Sequence, residues 1–98
     1  MLDQLQGVFR SLQNHNVKYL VIGGIAAVIY GVPRATFDLD ILIEATEENC
    51  NVLLEALAEA GIGTASLTTP SDILAHEITV LNDRVRIDVQ TQTPGISL

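Results

Sequence analysis

Ninety-eight residues with 48% hydrophobic content are enough for one domain, residues 1–98, built on one modest core. Twelve Asp and Glu against five Lys and Arg give a formal net charge of -7, so the chain as a whole has no long-range attraction for nucleic acid or an anionic membrane. A single cysteine, Cys50, excludes an internal disulfide and a thiolate zinc site; with no basic leader and no uncharged stretch long enough to span a bilayer, a reducing, cytoplasmic location is expected.

Leu2, Leu5, Phe9 and Leu12 recur at helical spacing, with Val8 beside them, and predict an amphipathic helix over residues 3–14. Asn14-His15-Asn16 is a turn, and the apolar run 17–22 predicts a first strand, closed by Gly23-Gly24. The stretch 25–30 is short, apolar and alanine-containing, which predicts a buried helix, and Gly31-Val32-Pro33 turns the chain. Residues 37–44 alternate and predict a second strand. Thr46 suits an N-cap, with Glu47 and Glu48 in a first turn where the helix dipole favours anions. Cys50, Leu53, Leu54 and Leu57 form the inner face of that helix, which ends at Gly61. Residues 62–67 are expected as a short edge strand, and 69–72 as a loop or helical turn. Residues 78–81 and 84–89 predict a hairpin turning through Asn82-Asp83, since both residue types tolerate positive φ. The order of elements predicts an α/β (α+β) fold, a mixed sheet with helices mainly on one face.

Three aspartates carry the chemistry. Asp38 and Asp40, at i and i+2 on a strand, point to the same face with Cα atoms about 7 Å apart, while Phe37, Leu39, Ile41 and Ile43 point into a core. Asp88 lies on the polar face of a strand whose other face is Val85, Ile87 and Val89. If that strand neighbours residues 37–44, the three carboxylates converge. They would repel one another without cations, and oxygen ligands of this kind suit magnesium.

The stretch 19–43, with Gly23-Gly24 and Asp38-Leu39-Asp40, followed by the lone Asp88, resembles the signature of the nucleotidyltransferase superfamily. The resemblance is to the polymerase-beta-like fold in its small prokaryotic branch: minimal nucleotidyltransferases and the nucleotidyltransferase-like members of toxin–antitoxin systems. It covers nearly the whole chain, from about Val17 to Asp88. It implies transfer of a nucleoside monophosphate from an NTP to an acceptor hydroxyl, on a protein, an RNA or a small molecule, assisted by two Mg²⁺ ions. By position, Asp38, Asp40 and Asp88 are the implied metal ligands and catalytic residues. Gly23 and Gly24 would meet the triphosphate with backbone amides at a helix N-terminus, and Arg34 would contact phosphate. Two departures stand out. Gly24 replaces a serine found in many active members, and the look-alikes continue past the point matching residues 93–98, which reads as truncation at the C-terminus.

Each feature also has a plainer reading. Asp38 and Asp40 can be a solvated strand face, Asp88 a partner for Arg86, Gly23-Gly24 a tight turn, and Arg34 half of a structural ion pair. Cys50 reads as a core residue, and Glu47, Glu48, Glu55 and Glu59 as a solvated helix face. His15 and His76 lack metal-ligand spacing. The rival for the whole chain is a non-catalytic member, an antitoxin-like or interaction module that keeps the fold and weak nucleotide binding; a toxin-like protein and a second copy of the chain are the expected partners. Its mean hydropathy of +0.35 favours hidden surface.

Overall fold

The structure is a computed structural model that describes residues 2–27, 36–83, 85–92 and 98, with the side chains of 2–4, 24–27 and 36–38 left aside. Helix α1 (Leu2–Asn14) lays Val8 and Leu12 into the core. It ends where Asn16 takes the left-handed conformation, φ 54°. The amide of Asn16 then bonds the carbonyl of Gln13, and the amide of Val17 that of Leu12, so two terminal carbonyls are satisfied. Helix α2 (Glu47–Glu59) closes the same way. Gly61, at φ 89°, lets its own amide reach Ala58 and that of Ile62 reach Leu57. At its start the Thr46 side chain accepts from the Asn49 amide, as the sequence predicts. Cys50 is fully buried in its core face, which pushes the thiol pKa up, and Glu47, Glu48, Glu55 and Glu59 are exposed.

Four strands form one mixed sheet in the order β1-β2-β4-β3: β1 (Tyr19–Ala27), β2 (Thr36–Ile43), β3 (Ile78–Asn82) and β4 (Arg86–Gln90). The outer pairs are antiparallel and the central pair, β2 with β4, is parallel. Leu39, Ile41 and Ile43 of β2, Ile87 and Val89 of β4, and Leu81 of β3 are buried with residues of both long helices, so these helices cover one face. Alternate residues occupy the other face: Asp40 and Leu42 of β2, Asp88 of β4, Val80 of β3. The α+β class and mixed sheet agree with the sequence reading. Among the described residues no helix is long and apolar enough to cross a membrane.

Three local expectations are corrected. The predicted helix over 25–30 is strand as far as Ala27, because Ile25, Ala26 and Ala27 pair with Asp38, Phe37 and Thr36; residues 28–30 lie outside the described residues. A short apolar run satisfies either period, and here pairing with β2 decides. Residues Gly63–Leu67 form a 3-10 helix rather than an edge strand. Local bonds win there: the hydroxyl of Ser66 donates to the Gly63 carbonyl at 2.7 Å and that of Thr68 to the Thr64 carbonyl at 2.9 Å. The β3–β4 hairpin keeps Asn82 in β3, paired with Arg86, so the expected two-residue turn at Asn82-Asp83 is not formed, and neither residue has positive φ. Asp83 is committed elsewhere, its carboxylate accepting from the Gly63 amide at 2.6 Å. The segment 69–72 opens helix α3 (Pro70–Leu74) through a reciprocal cap between Thr69 and Asp72. The hydrogen bonds from Thr69 hold the Asp72 carboxyl below the usual carboxylate range.

Candidate functional site: the acidic face of the sheet

Parallel pairing in register sets Asp40 directly beside Asp88, and Asp38 beside Arg86. Adjacent strands lie about 4.8 Å apart, and partners in such a pair point to the same face. Burial agrees: Asp40 and Asp88 are half-buried, while their neighbours Leu39, Ile41, Ile87 and Val89 are buried on the opposite side. Like charges at such neighbouring positions repel, and solvent at these half-buried side chains screens them. The Nε of Arg86 donates to Oδ1 of Asp88 at 3.1 Å, offsetting part of that repulsion. The side chains of Arg86 and Asp88 are 49% and 21% exposed, so solvent screens the pair.

Gly23 completes this face by means of a bulge. Val21 pairs with Ile41, but the next partner of β2, Asp40, faces Gly23. Ile22 is the extra residue. With unbroken register Ile22 would stand opposite Asp40; the bulge removes it and inserts a glycine. A Cβ built on Gly23 would lie 2.9 Å from Oδ2 of Asp40 and 3.5 Å from its Cβ. The Asp40 carboxylate occupies the space that a side chain at position 23 would fill.

Gly24 continues the strand, paired with Leu39. The glycine pair thus lies inside β1, and the helix N-terminus expected directly after it is not formed through Ala27. The backbone polar groups of this stretch go to β2 instead. Arg34 lies outside the described residues, as does the side chain of Asp38; the backbone of Asp38 belongs to β2. Among the described residues no group of three His, Cys, Asp or Glu gathers as a metal set. His15 contacts Glu59, and His76 Nδ1 lies 2.7 Å from the Asp72 carbonyl, so both histidines serve local structure.

Gly23→Ala tests the role of the bulge. Gly23 does not have positive φ, so alanine can adopt its backbone. The expected outcome is a loss of about 1–2 kcal/mol, since Asp40 must move to admit the methyl group. In an Asp40→Ala background the same change should be neutral or stabilising by about 0.5 kcal/mol, because only the restriction of the unfolded chain remains. Urea unfolding of the four proteins checks this.

Asn49 is a residue that the sequence reading passed over. It is only 5% exposed. Its Oδ1 accepts from the Lys18 amide at 2.8 Å, and its Nδ2 donates to the carbonyls of Lys18 at 2.9 Å and Glu44 at 3.0 Å. One side chain thus ties the entry of β1 and the exit of β2 to the first turn of α2. The available signal was an amide adjoining Cys50 on the inner face of the predicted helix. A cleft of about 290 Å³ opens beside it, lined by His15, Lys18, Glu44, Thr46 and Glu48 among others. It includes neither Asp40 nor Asp88. Lys18 pairs with Glu44 across it at 3.6 Å, and His15 turns to Glu59 outside it, so the acidic face is the better candidate.

No protein-family model, curated protein or solved structure matches this chain.

Proposed function

We propose that the chain transfers a nucleoside monophosphate from an NTP to an acceptor hydroxyl. The hydroxyl oxygen bonds to the α-phosphorus, the bond to the bridging oxygen breaks, and pyrophosphate leaves. The observation that carries this reading is the in-register pair Asp40 and Asp88 on parallel strands, with Asp38 two residues earlier on the same strand. An all-oxygen donor set suits Mg²⁺, and the glycine at position 23 admits the Asp40 carboxylate that a larger side chain would push away. Asp38, Asp40 and Asp88 would hold two Mg²⁺ ions, which stabilise charge on the attacking and leaving oxygens when bound. The strands supply rigidity: Asp40 and Asp88 are each flanked by two buried residues, Leu39 and Ile41, and Ile87 and Val89. Gly23 and Gly24 keep side chains away from the approaching triphosphate, and Arg34 is proposed as a phosphate contact. The acidic chain favours a protein or small-molecule acceptor over RNA, and a cytoplasmic setting supplies the NTP.

One observation favours a second reading, an interaction module without catalysis. Leu20, Ile78 and Val80 are 45%, 53% and 46% exposed, and they share the sheet face of Asp40 and Asp88. Apolar residues beside an acidic cluster fit a toxin-like protein partner or self-association.

Paired labels separate the readings. With Mg²⁺, label from an α-labelled NTP should pass to the acceptor, while label from a γ-labelled NTP should leave as pyrophosphate. Transfer of the γ-label would mean phosphoryl transfer. Transfer of neither label, across the four NTPs and candidate acceptors, would favour the interaction module.

A further inference from the structure

We propose that Arg86 is the built-in counter-ion of the acidic face, neutralising Asp88 in the metal-free protein and competing with a divalent cation for that carboxylate. The inference rests on the metal-dependent reading above and deepens it by naming what regulates cation affinity. Arg86 and Asp88 are two apart on β4 and so share a face, and the Nε of Arg86 donates to Oδ1 of Asp88 at 3.1 Å. Parallel register sets Arg86 beside Asp38 and Asp88 beside Asp40, which makes a rectangle of three aspartates and one arginine. An arginine cannot lose its charge to make way for a metal. It can only move, and exposure favours that: the Arg86 side chain is 49% exposed, whereas that of Asp88 is 21% exposed. The guanidinium belongs to the more exposed partner of the pair. Asp88 stays on its strand between Ile87 and Val89, both fully buried. A cation that takes Oδ1 of Asp88 must therefore displace Arg86 or share the oxygen with it.

Removal of the guanidinium should strengthen cation binding, since a positive charge next to a carboxylate opposes a second one. The experiment is calorimetric titration with Mg²⁺ and Mn²⁺, alongside thermal unfolding with and without Mg²⁺, on wild type, Arg86→Gln, Arg86→Lys and Asp40→Asn. Arg86→Gln should bind the cation about tenfold more tightly. It should also be less stable without metal and show a larger upward shift of Tm with Mg²⁺ than wild type. Arg86→Lys, which keeps the charge, should remain near wild type. In the wild type, the Arg86 Nε–H resonance should move as Mg²⁺ is added. Equal or weaker cation binding by Arg86→Gln, with binding in wild type that Asp40→Asn abolishes, overturns the counter-ion role and leaves the metal site standing. Absence of cation binding in both wild type and Arg86→Gln overturns the metal reading and this inference with it. Should Arg86→Gln fail to fold without metal, Mg²⁺ must restore folding; failure to do so, or an Arg86 resonance unmoved by saturating Mg²⁺ in wild type, counts against the proposal.

Discussion

Asp40→Asn is expected to fold as the wild type does and, on the proposed reading, to lose nucleotidyl transfer by about 100-fold or more. The two halves of this expectation have separate physical sources. Asparagine conserves the volume of aspartate, so the packing against Gly23 is kept. The position is half-buried beside Asp88, and loss of one charge relieves the repulsion between the two carboxylates. Stability should therefore change by no more than about 1 kcal/mol. Catalysis depends on the charge itself. Loss of one preorganised group aimed at the developing charge typically costs about 10²–10³ in rate, and a lost metal ligand is at least as severe. Circular dichroism melting curves and transfer of α-label, measured on the same preparations, check both halves. Transfer at the wild-type rate in folded Asp40→Asn would remove Asp40 from the chemistry. In an interaction module, the substitution should leave partner binding intact and the wild type should show no transfer.

The second large effect lies away from the acidic face. Asn49→Ala is expected to destabilise the protein by about 3 kcal/mol. The substitution strands the Lys18 amide and removes one donor from each of the Lys18 and Glu44 carbonyls, which keep the amides of Glu44 and Thr46. An unsatisfied buried amide costs about 1–3 kcal/mol, and each lost bond to a carbonyl that keeps another donor adds about 1 kcal/mol or less. For a chain of this length, about 3 kcal/mol corresponds to a fall in Tm of roughly 12–24 °C. Asn49→Asp should not rescue it, because a carboxylate oxygen would take the place of the Nδ2 donor and face two carbonyl oxygens. A loss below about 1 kcal/mol in urea unfolding would show that water replaces the amide at no cost, and that the tie between the strands and α2 is dispensable.

The two long helices, their ends and the alternation of β2 and β4 were legible because each is a local matter. Leu5, Val8, Phe9 and Leu12 repeat at the helical period. Thr46 and Gly61 act through their own backbone neighbourhood, and Val85, Ile87 and Val89 differ from Arg86 and Asp88 by parity alone. The common face of Asp38 and Asp40 follows from the same parity. What could not be read locally were the choices that pairing partners make. Ile25-Ala26-Ala27 fits a helix or a strand, and the neighbouring backbone of β2 selects the strand. Residues Gly63–Leu67 lack a strand partner among the described residues and coil on their own hydroxyl bonds. Asp83 leaves the expected two-residue turn because the Gly63 amide, twenty residues earlier, takes its carboxylate.

By itself, then, the sequence determined which residues present carboxylates, which bury, and that a mixed α+β sheet is their frame, since period and composition act within a few residues. Tertiary structure alone decided that β4 lies parallel to β2 with Asp88 level with Asp40. It also decided that a bulge at Ile22 brings Gly23 over the Asp40 carboxylate, and that Arg86 reaches Asp88 on a face whose reverse side is sealed by the helices. Register between strands far apart in sequence is a property of the pair, set by the shared core beneath them and by the space left for each side chain, and neither strand carries it alone.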